Sequence, residues 1–174
     1  DISLIVNIKD CVYHDDVVVD VHASVDGEYR LIVGSVNTTV EVINNEASVN
    51  VGELYAGDYE AYVLFDGNRN YNSNSNITNF TVDKAKSNIT IDINGTEFVY
   101  LDSITVTHNL TEDALGYITY FLGDGSELAQ TSVDADYVLP ILDVGEYWII
   151  ALYEGDGNYY PAVDLVKFTI VPAV

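Results

Sequence analysis

The sequence predicts an all-β protein built from two tandem sandwiches of one type, and three observations lead to this prediction. The chain repeats itself at a spacing of 88 residues, so each copy is one structural unit. Hydrophobic residues make up 48% of the chain and are rich in Val, Ile and Tyr, which fit a pleated sheet. Short alternating segments are separated by Asp-Gly, Asn-Asn and Gly-Asn turns, which is the pattern of β-strands.

The repeat is closest in the second half of each copy, where it runs without a gap. The matched pairs are Leu54/Leu142, Gly57/Gly145, Tyr59/Tyr147, Leu64/Leu152, Gly67/Gly155, Asn70/Asn158, Tyr71/Tyr159, Phe80/Phe168 and Thr81/Thr169. Earlier in the copies the spacing drifts from 85 to 88, so we place three extra residues in the first turns of the second copy. The predicted modules are residues 1–83 (module 1) and 84–174 (module 2).

Alternation places seven short strands in module 1. They cover residues 3–8, 17–22, 29–33, 38–43, 47–51, 59–65 and 77–82, and module 2 is expected to hold the same seven. Such strands, with turns every 8–12 residues, are typical of an immunoglobulin-like Greek-key sandwich. No apolar run reaches 18 residues, which excludes a transmembrane helix. The predicted fold class is therefore all-β, with two tandem immunoglobulin-like sandwiches of about seven strands each.

The most specific local pattern is Leu-x-x-Gly-acidic-Tyr, which ends at Tyr59 in module 1 and at Tyr147 in module 2. A tyrosine at the start of the sixth strand can return its hydroxyl to the preceding connection, which is the tyrosine corner of Greek-key sandwiches. This reading also sets the strand parity. The residues expected to face the cores are Tyr59, Ala61, Val63 and Phe65 in module 1, and Tyr147, Ile149, Ala151 and Tyr153 in module 2.

Three strings of module 1 resemble a known family: Ala-Gly-Asp-Tyr at 56–59, Leu-Phe-Asp-Gly-Asn-Arg-Asn-Tyr-Asn-Ser at 64–73, and Asn-Phe-Thr-Val-Asp-Lys-Ala at 79–85. They are similar to the bacterial-type Ig-like repeats of long surface proteins, especially the adhesin-like proteins of methanogenic archaea. The resemblance implies a fragment of a secreted cell-surface protein, in which the modules mediate adhesion or form a stalk that presents a distal binding region. It carries no catalytic residues, and a carbohydrate-binding module on the same scaffold is the alternative.

Net charge excludes two classes of partner. The chain has 28 acidic and 6 basic residues, a net charge of −22. Because nucleic-acid and membrane-surface binding depend on Lys and Arg meeting phosphates, neither nucleic acid nor direct membrane binding is expected. The expected partners are a surface protein or glycan of another cell, or neighbouring Ig-like modules of the same chain. The acidity itself serves solubility or, alternatively, cation uptake.

The candidate cation site is the hairpin after the sixth strand of each module. Oxygen-bearing side chains there alternate with other residues, as in loops that wrap Ca²⁺; they are Asp66, Asn68 and Asn70 in module 1, and Glu154, Asp156 and Asn158 in module 2. The same residue types are also what hairpin turns require. Calcium is thus the single cofactor considered, as an alternative to a purely structural role.

Asn-x-Ser/Thr sequons are more frequent than chance. Six occur, at Asn37, Asn76, Asn79, Asn88, Asn94 and Asn109, where a random arrangement of the same residues would give about two. A secreted, N-glycosylated protein is one explanation of the excess, and an Asn- and Thr-rich genome is the other.

No arrangement for catalysis is found. The histidines, His14, His22 and His108, lack the spacing of a zinc site, and acidic residues are too abundant for any one pair to be informative. The single cysteine, Cys11, occupies the same column as Phe98, so we expect it to be buried as a small apolar residue. An intermolecular disulfide is the alternative.

One strand pair departs from the usual pattern of polar outer faces. If Ile149 and Ala151 face the core, then Trp148, Ile150 and Leu152 lie on the other side of the sheet. Tyr120 and Ile118 are expected beside them, and Tyr62 and Leu64 form a weaker version in module 1. The predicted partner-binding residues are Tyr120, Trp148, Ile150 and Leu152. Three explanations stay open: cover by the neighbouring module or the 123–135 connection, a protein interface, or an aromatic platform for a sugar.

Overall fold

The computed structural model describes residues 1–174, and the chain divides into two compact units, Asp1–Ala85 and Lys86–Val174. The boundary falls two residues after the predicted one, and we keep the names module 1 and module 2 for these units. Every regular element is a β-strand, and no helix is present that could cross a membrane. The predicted all-β class is confirmed.

Module 1 contains eight strands in two sheets. They are β1 (Leu4–Ile8), β2 (Cys11–Val12), β3 (Asp16–Ala23), β4 (Gly27–Val33), β5 (Val36–Val42), β6 (Glu46–Glu53), β7 (Gly57–Phe65) and β8 (Asn74–Asp83). One sheet has the order β1-β3-β6 and the other β2-β8-β7-β4-β5. Buried side chains from both sheets meet in one core, which makes the module a β-sandwich.

Module 2 repeats this topology with strands of similar length. They are β9 (Ile89–Ile93), β10 (Glu97–Val99), β11 (Thr105–Leu110), β12 (Tyr117–Leu122), β13 (Glu127–Ser132), β14 (Tyr137–Val138), β15 (Gly145–Tyr153) and β16 (Ala162–Val171). The three-stranded sheet has the order β14-β11-β9, and the five-stranded sheet β10-β16-β15-β12-β13. The two modules are therefore tandem sandwiches of one topology.

The sequence predicted seven strands per module, and the structure adds one short strand to each. β2 and β10 carry the chain from the three-stranded to the five-stranded sheet, where each pairs in parallel with the last strand of its module. The side chains at this crossing are Cys11 and Phe98, and both are buried. Burial and the nearby Asp15, Asp10 and Asp83 carboxylates raise the pKa of the Cys11 thiol, as expected for a cysteine that serves as core.

The predicted tyrosine corners are present in both modules. The Tyr59 hydroxyl donates to the Tyr55 carbonyl at 2.6 Å, and the Tyr147 hydroxyl donates to the Asp143 carbonyl at 2.8 Å. Parity along the sixth predicted strand, now β7 and β15, is also confirmed. Ala61 and Val63 in module 1, like Ile149 and Ala151 in module 2, have no exposed surface.

The seam between the first and last long strands differs between the modules. In module 1, three β8 side chains bond to β1-side backbone carbonyls: Asn74 to Ile2 at 3.1 Å, Asn76 to Leu4 at 3.0 Å and Thr78 to Val6 at 3.4 Å. In module 2 the Asp164 carboxylate accepts the Ile91 N–H at 2.8 Å. Two side-chain amides and one hydroxyl thus close this edge of module 1.

Candidate partner-binding face

The outer surface of the five-stranded sheet in module 2 is apolar across three adjacent strands. Six side chains form this surface, which we call the apolar face: Phe121 on β12, Trp148, Ile150 and Leu152 on β15, and Val163 and Leu165 on β16. Ile150 lies opposite Phe121 on one side and Leu165 on the other, while Leu152 lies opposite Val163. Because directly opposed side chains in a sheet touch one another, the six form a continuous patch.

This patch is open to solvent to an unusual degree for apolar side chains. The exposed fractions are 44% for Trp148, 60% for Val163 and 49% for Leu165, and the other three are half-buried. Outer faces of antiparallel sandwiches are normally polar. A contiguous apolar surface of this kind is therefore the strongest candidate for a binding site in the molecule.

Tyr120 was predicted to belong to this face, and that prediction is wrong. Tyr120 and Ile118 are fully buried, because they lie opposite Ala151 and Tyr153, whose side chains point into the core. Burial raises the pKa of the Tyr120 hydroxyl. β12 is apolar on both parities, so alternation did not show which side faces outward, and Phe121 takes the outward place.

The position of Trp148 is fixed by its neighbours. Gly123 donates its N–H to the Trp148 carbonyl at 3.0 Å, and a Cβ atom added to Gly123 would lie 3.1 Å from the Trp148 Cβ. On the other side, the Lys167 ammonium lies 6.0 Å from the centre of the indole ring. The absence of a side chain at Gly123 therefore leaves room for the indole, and Lys167 borders it with a positive charge.

At the end opposite Trp148, the apolar face is bordered by a polar cluster of Thr119, Gln130 and Glu154. The Thr119 hydroxyl donates to Glu154 Oε1 at 2.6 Å and accepts from Gln130 Nε2 at 3.4 Å. Thr119 is only 2% exposed, although it lies on the outer side of the sheet. The 123–135 segment does not cover the face, because Trp148, Val163 and Leu165 stay exposed and residues 127–132 form the edge strand β13 alongside β12.

Module 1 presents a more polar version of the same surface. Tyr62 lies opposite Ile32, and these two half-buried side chains occupy the positions of Ile150 and Phe121. Glu60 replaces Trp148, Asn79 replaces Lys167, and Ser75 replaces Val163, because the 88-residue repeat is gapless here. Ile77, 60% exposed, is the counterpart of Leu165.

One candidate calcium ligand in each hairpin, Asn68 in module 1 and Asp156 in module 2, accepts backbone hydrogen bonds. Asn68 Oδ1 accepts the N–H groups of Asn70 and Tyr71 at 2.8 and 2.9 Å. At the equivalent position Asp156 Oδ1 accepts those of Asn158 and Tyr159 at 2.7 and 2.8 Å. No group of three or more His, Cys, Asp or Glu side chains is arranged to hold a metal ion. Calcium binding here stays a prediction, and the geometry supports the turn role of these residues.

Electrostatics at the module 2 hairpin favour a charged Asp156. Burial opposes its ionisation, but hydrogen bonds from the backbone N–H groups of Leu115, Asn158 and Tyr159 outweigh burial and lower the pKa of Asp156. These bonds connect the hairpin to the start of β12. The carboxylate is thus part of the module's own structure.

The three histidines lie apart and have separate partners. His14 Nδ1 is 3.0 Å from Glu53 Oε2, His22 Nδ1 is 3.7 Å from Glu46 Oε1, and His108 Nε2 is 2.6 Å from the Val133 carbonyl. The structure therefore adds no candidate catalytic residue to the sequence prediction.

Comparisons with known proteins concern the fold alone. No protein-family model matches the sequence, and no curated protein is significantly similar to it. Among solved structures, the chain is similar to the fibronectin(III)-like modules of Clostridium thermocellum CbhA, with a TM-score of 0.45 and 11% identity over 99% of this chain and 95% of that chain. It is also similar to murine CEACAM1b, with a TM-score of 0.40 and 13% identity over 98% of this chain and 100% of that one.

A third similar structure is the Ig1–Ig3 ectodomain of mouse nectin-like molecule 4, with a TM-score of 0.42 and 15% identity over 98% of this chain and 65% of that chain. These neighbours are built from immunoglobulin-like or fibronectin-III-like domains. The sheets described above define the same class here. The protein is a pair of immunoglobulin-like β-sandwiches in tandem.

Proposed function

We propose that the chain is part of a secreted cell-surface protein, in which module 2 binds a protein on another cell and module 1 serves as a spacer. The observation that carries this proposal is the apolar face, which is continuous on module 2 but interrupted on module 1 by Glu60 and Ser75, although the two sandwiches share their topology. A spacer needs only a soluble outer surface, as on module 1. An exposed apolar surface has a cost in solubility, so a contact with a partner is its simplest purpose.

The shape and charge of the apolar face favour a protein as partner. The six side chains lie on a sheet surface spanning three strands, and an extended apolar centre bordered by polar groups is how protein interfaces are built. Because the chain carries a charge of −22, a partner with basic residues around its own apolar centre fits best. The resemblance of the sequence to adhesin-like repeats agrees with this role.

A carbohydrate is the second candidate, and it rests on Trp148. The indole is 44% exposed and is held in place by Gly123 and Lys167. A fixed, half-exposed aromatic ring is a surface on which a sugar ring can stack. Such stacking would use the indole itself and would leave Val163 and Leu165 uninvolved.

Binding of the purified 174-residue chain to intact cells and to a glycan array, with and without calcium, tests the proposal. Trp148→Ala is expected to weaken saturable cell binding at least about thirtyfold, because central interface tryptophans are often hot spots. Leu165→Ser should weaken protein binding about tenfold. Ile77→Ser, at the equivalent exposed position of module 1, is the matched control and should leave binding unchanged.

The outcomes separate the candidates. Binding lost after protease treatment of the cells, and weakened by Leu165→Ser, supports the protein partner. Binding to glycans that depends on Trp148 alone supports the carbohydrate reading. Binding that requires calcium and is lost in Asp156→Ala would locate recognition at the hairpins. No binding under any condition would contradict adhesion by module 2 and leave both modules as stalk.

A further inference from the structure

The six sequons divide into two groups according to what their side-chain amides contact. Asn37, Asn79, Asn88 and Asn109 are exposed, and their side-chain amides take no part in the hydrogen bonds that connect strands in the fold. The other two are engaged in the fold. Asn76 is half-buried in the seam of module 1, where Nδ2 donates to the Leu4 carbonyl at 3.0 Å and Oδ1 accepts from Thr78 Oγ1 at 2.7 Å.

Asn94 in module 2 is exposed, but both ends of its side-chain amide are hydrogen-bonded to the backbone. Its Nδ2 donates to the Ser103 carbonyl at 3.1 Å, and its Oδ1 accepts the Thr105 N–H at 2.9 Å. These bonds join the end of β9 to the beginning of β11. A substituent on Nδ2 would have to occupy the space now filled by the backbone of residues 103–105, so the side chain would leave both partners unpaired.

We propose that N-linked glycans are carried at Asn37, Asn79, Asn88 and Asn109, and that Asn76 and Asn94 stay unmodified in the folded protein. The donor is an oligosaccharide linked to a polyprenyl phosphate. The asparagine Nδ2 forms a bond to the anomeric carbon, the bond from that carbon to the lipid phosphate oxygen breaks, and the amide proton and lipid phosphate are released. This inference rests on the secretion that the proposed function includes.

The modified positions are distributed unevenly over the two modules. Asn37 on β5 and Asn79 on β8 both point outward from the five-stranded sheet of module 1, since their neighbours opposite are the outward residues Ile32 and Glu60. Asn79 also lines an open groove of about 670 Å³, together with Asp58 and Thr81, which leaves room for a sugar. Two glycans would thus stand on this face of module 1.

Module 2 has its sequons on the other sheet. Asn88 directly precedes β9, and Asn109 lies on β11 opposite Thr90, so both belong to the three-stranded sheet. The counterpart of Asn79 on the five-stranded sheet is Lys167, and no sequon occurs on β10, β12, β13, β15 or β16. Glycosylation at the four sites therefore leaves the apolar face of module 2 uncovered while it covers the equivalent surface of module 1.

Site occupancy in the secreted chain tests this assignment. The 174-residue chain is secreted from a eukaryotic cell line whose oligosaccharyltransferase acts before folding is complete. Glycans are then removed by peptide N-glycosidase in H₂¹⁸O, and each sequon is quantified by mass spectrometry. We expect most molecules to be occupied at Asn37, Asn79, Asn88 and Asn109, and fewer than about a tenth at Asn76 and Asn94, because glycans there oppose folding. Thr39→Ala and Thr81→Ala are matched controls that abolish the first two sites without altering their asparagines.

Occupancy at Asn76 or Asn94 equal to that at the four other sites, in folded secreted protein, would overturn the proposal, as would empty sites at Asn37 and Asn79. If the chain is retained in the cell, translation with microsomes followed by selection of the protease-resistant fraction gives the same readout. Occupancy is measured without any partner. Its failure would therefore leave the binding proposal standing, and loss of binding would leave the glycan assignment standing.

Discussion

Glu60 and Trp148 occupy the same position in two sandwiches of the same topology, and the contrast between them separates what the fold requires from what it leaves free. Inward positions stay apolar and buried in both modules: Ala61 and Val63 correspond to Ile149 and Ala151, and none of the four is exposed. Both tyrosine corners also form. The outward positions differ. Module 1 has Glu60, Ser75 and Asn79 where module 2 has Trp148, Val163 and Lys167. Packing constrains one side of the sheet, and the other side is available for function.

The largest expected effect is a loss of stability in one module while the other module keeps its own. Phe168, 1% exposed, packs against Phe98 and Tyr147, so Phe168→Ala should destabilise module 2 by about 3–5 kcal/mol. Trp148 is the only tryptophan, so urea unfolding followed by its fluorescence reports module 2 alone. The matched variant Phe80→Ala should affect the circular dichroism transition of module 1 and leave the fluorescence transition in place. An equal shift of the fluorescence transition by Phe80→Ala would show that the modules do not unfold separately.

The second prediction concerns Gly155, in the hairpin after the sixth long strand, which both modules have because Gly67 occupies the same position in module 1. Gly155 has φ of +82°, and an added Cβ would lie 2.8 Å from the Tyr159 carbonyl oxygen. Gly155→Ala should therefore cost about 1–3 kcal/mol of module 2 stability. Gly157→Ala, where nothing lies within 4 Å of the added Cβ, is the control and should change stability by less than about 0.5 kcal/mol. Equal effects of the two substitutions would contradict the steric argument.

Alkaline pH should distinguish the modules, because Tyr153 of module 2 occupies the position of Phe65 in module 1. Burial and the neighbouring Asp156 carboxylate raise the pKa of Tyr153 from 10.0 to about 12. The unfolded chain then loses this proton before the folded one does, so the stability of module 2 falls as pH rises between these values. Tyr153→Phe should remove part of that fall in urea titrations. An unchanged pH dependence in the variant would assign it to two other tyrosines of module 2, the buried Tyr120 and the half-buried Tyr137, whose pKa values burial also raises.

The smallest expected effect is on the stability of module 2 at acid pH. Asp156 of module 2 has Asn68 as its counterpart in module 1. Because its pKa is lowered in the folded protein, Asp156 contributes stability above the unfolded value of about 4, and this contribution is lost as pH falls further. Asp156→Asn, which copies module 1, should flatten the dependence of the module 2 urea midpoint between about pH 5 and 2. A steeper dependence in the variant would show that the charge is not what the three N–H groups stabilise.

Most of the fold follows from the sequence, and the exceptions have physical reasons. The 88-residue repeat and the tyrosine corners set the module type, and Tyr59 fixed the parity of its strand. β2 and β10 were missed because strands of two and three residues in parallel pairing have no alternation to detect. Tyr120 was misplaced because β12 is apolar on both parities, so the register with β15 alone decides which side chains are buried.

Two residues of the apolar face, Leu165 and Val163, could have been predicted from the alternation of side chains along their strand. Phe168 matches Phe80 in the repeat, and if its apolar side chain takes a core position, the adjacent Lys167 points outward. Extending that parity along the same strand places Leu165 and Val163 on the outer surface, where the structure has them. Phe121 had no such signal, because its placement depends on a neighbour 29 residues away in sequence, Ile150. Long-range pairing was the missing information.

The side-chain seam of module 1 also determines how the module resists a pulling force. Asn74, Asn76 and Thr78 reach the carbonyls of Ile2, Leu4 and Val6 at matching steps of two residues, so the first and last long strands run side by side in the same direction. Tension applied along the chain pulls these strands in opposite directions, parallel to their lengths. The three bonds are then loaded together instead of opening one after another. If module 1 has the spacer role proposed above, this edge is the part of the module that bears a load between the two chain ends.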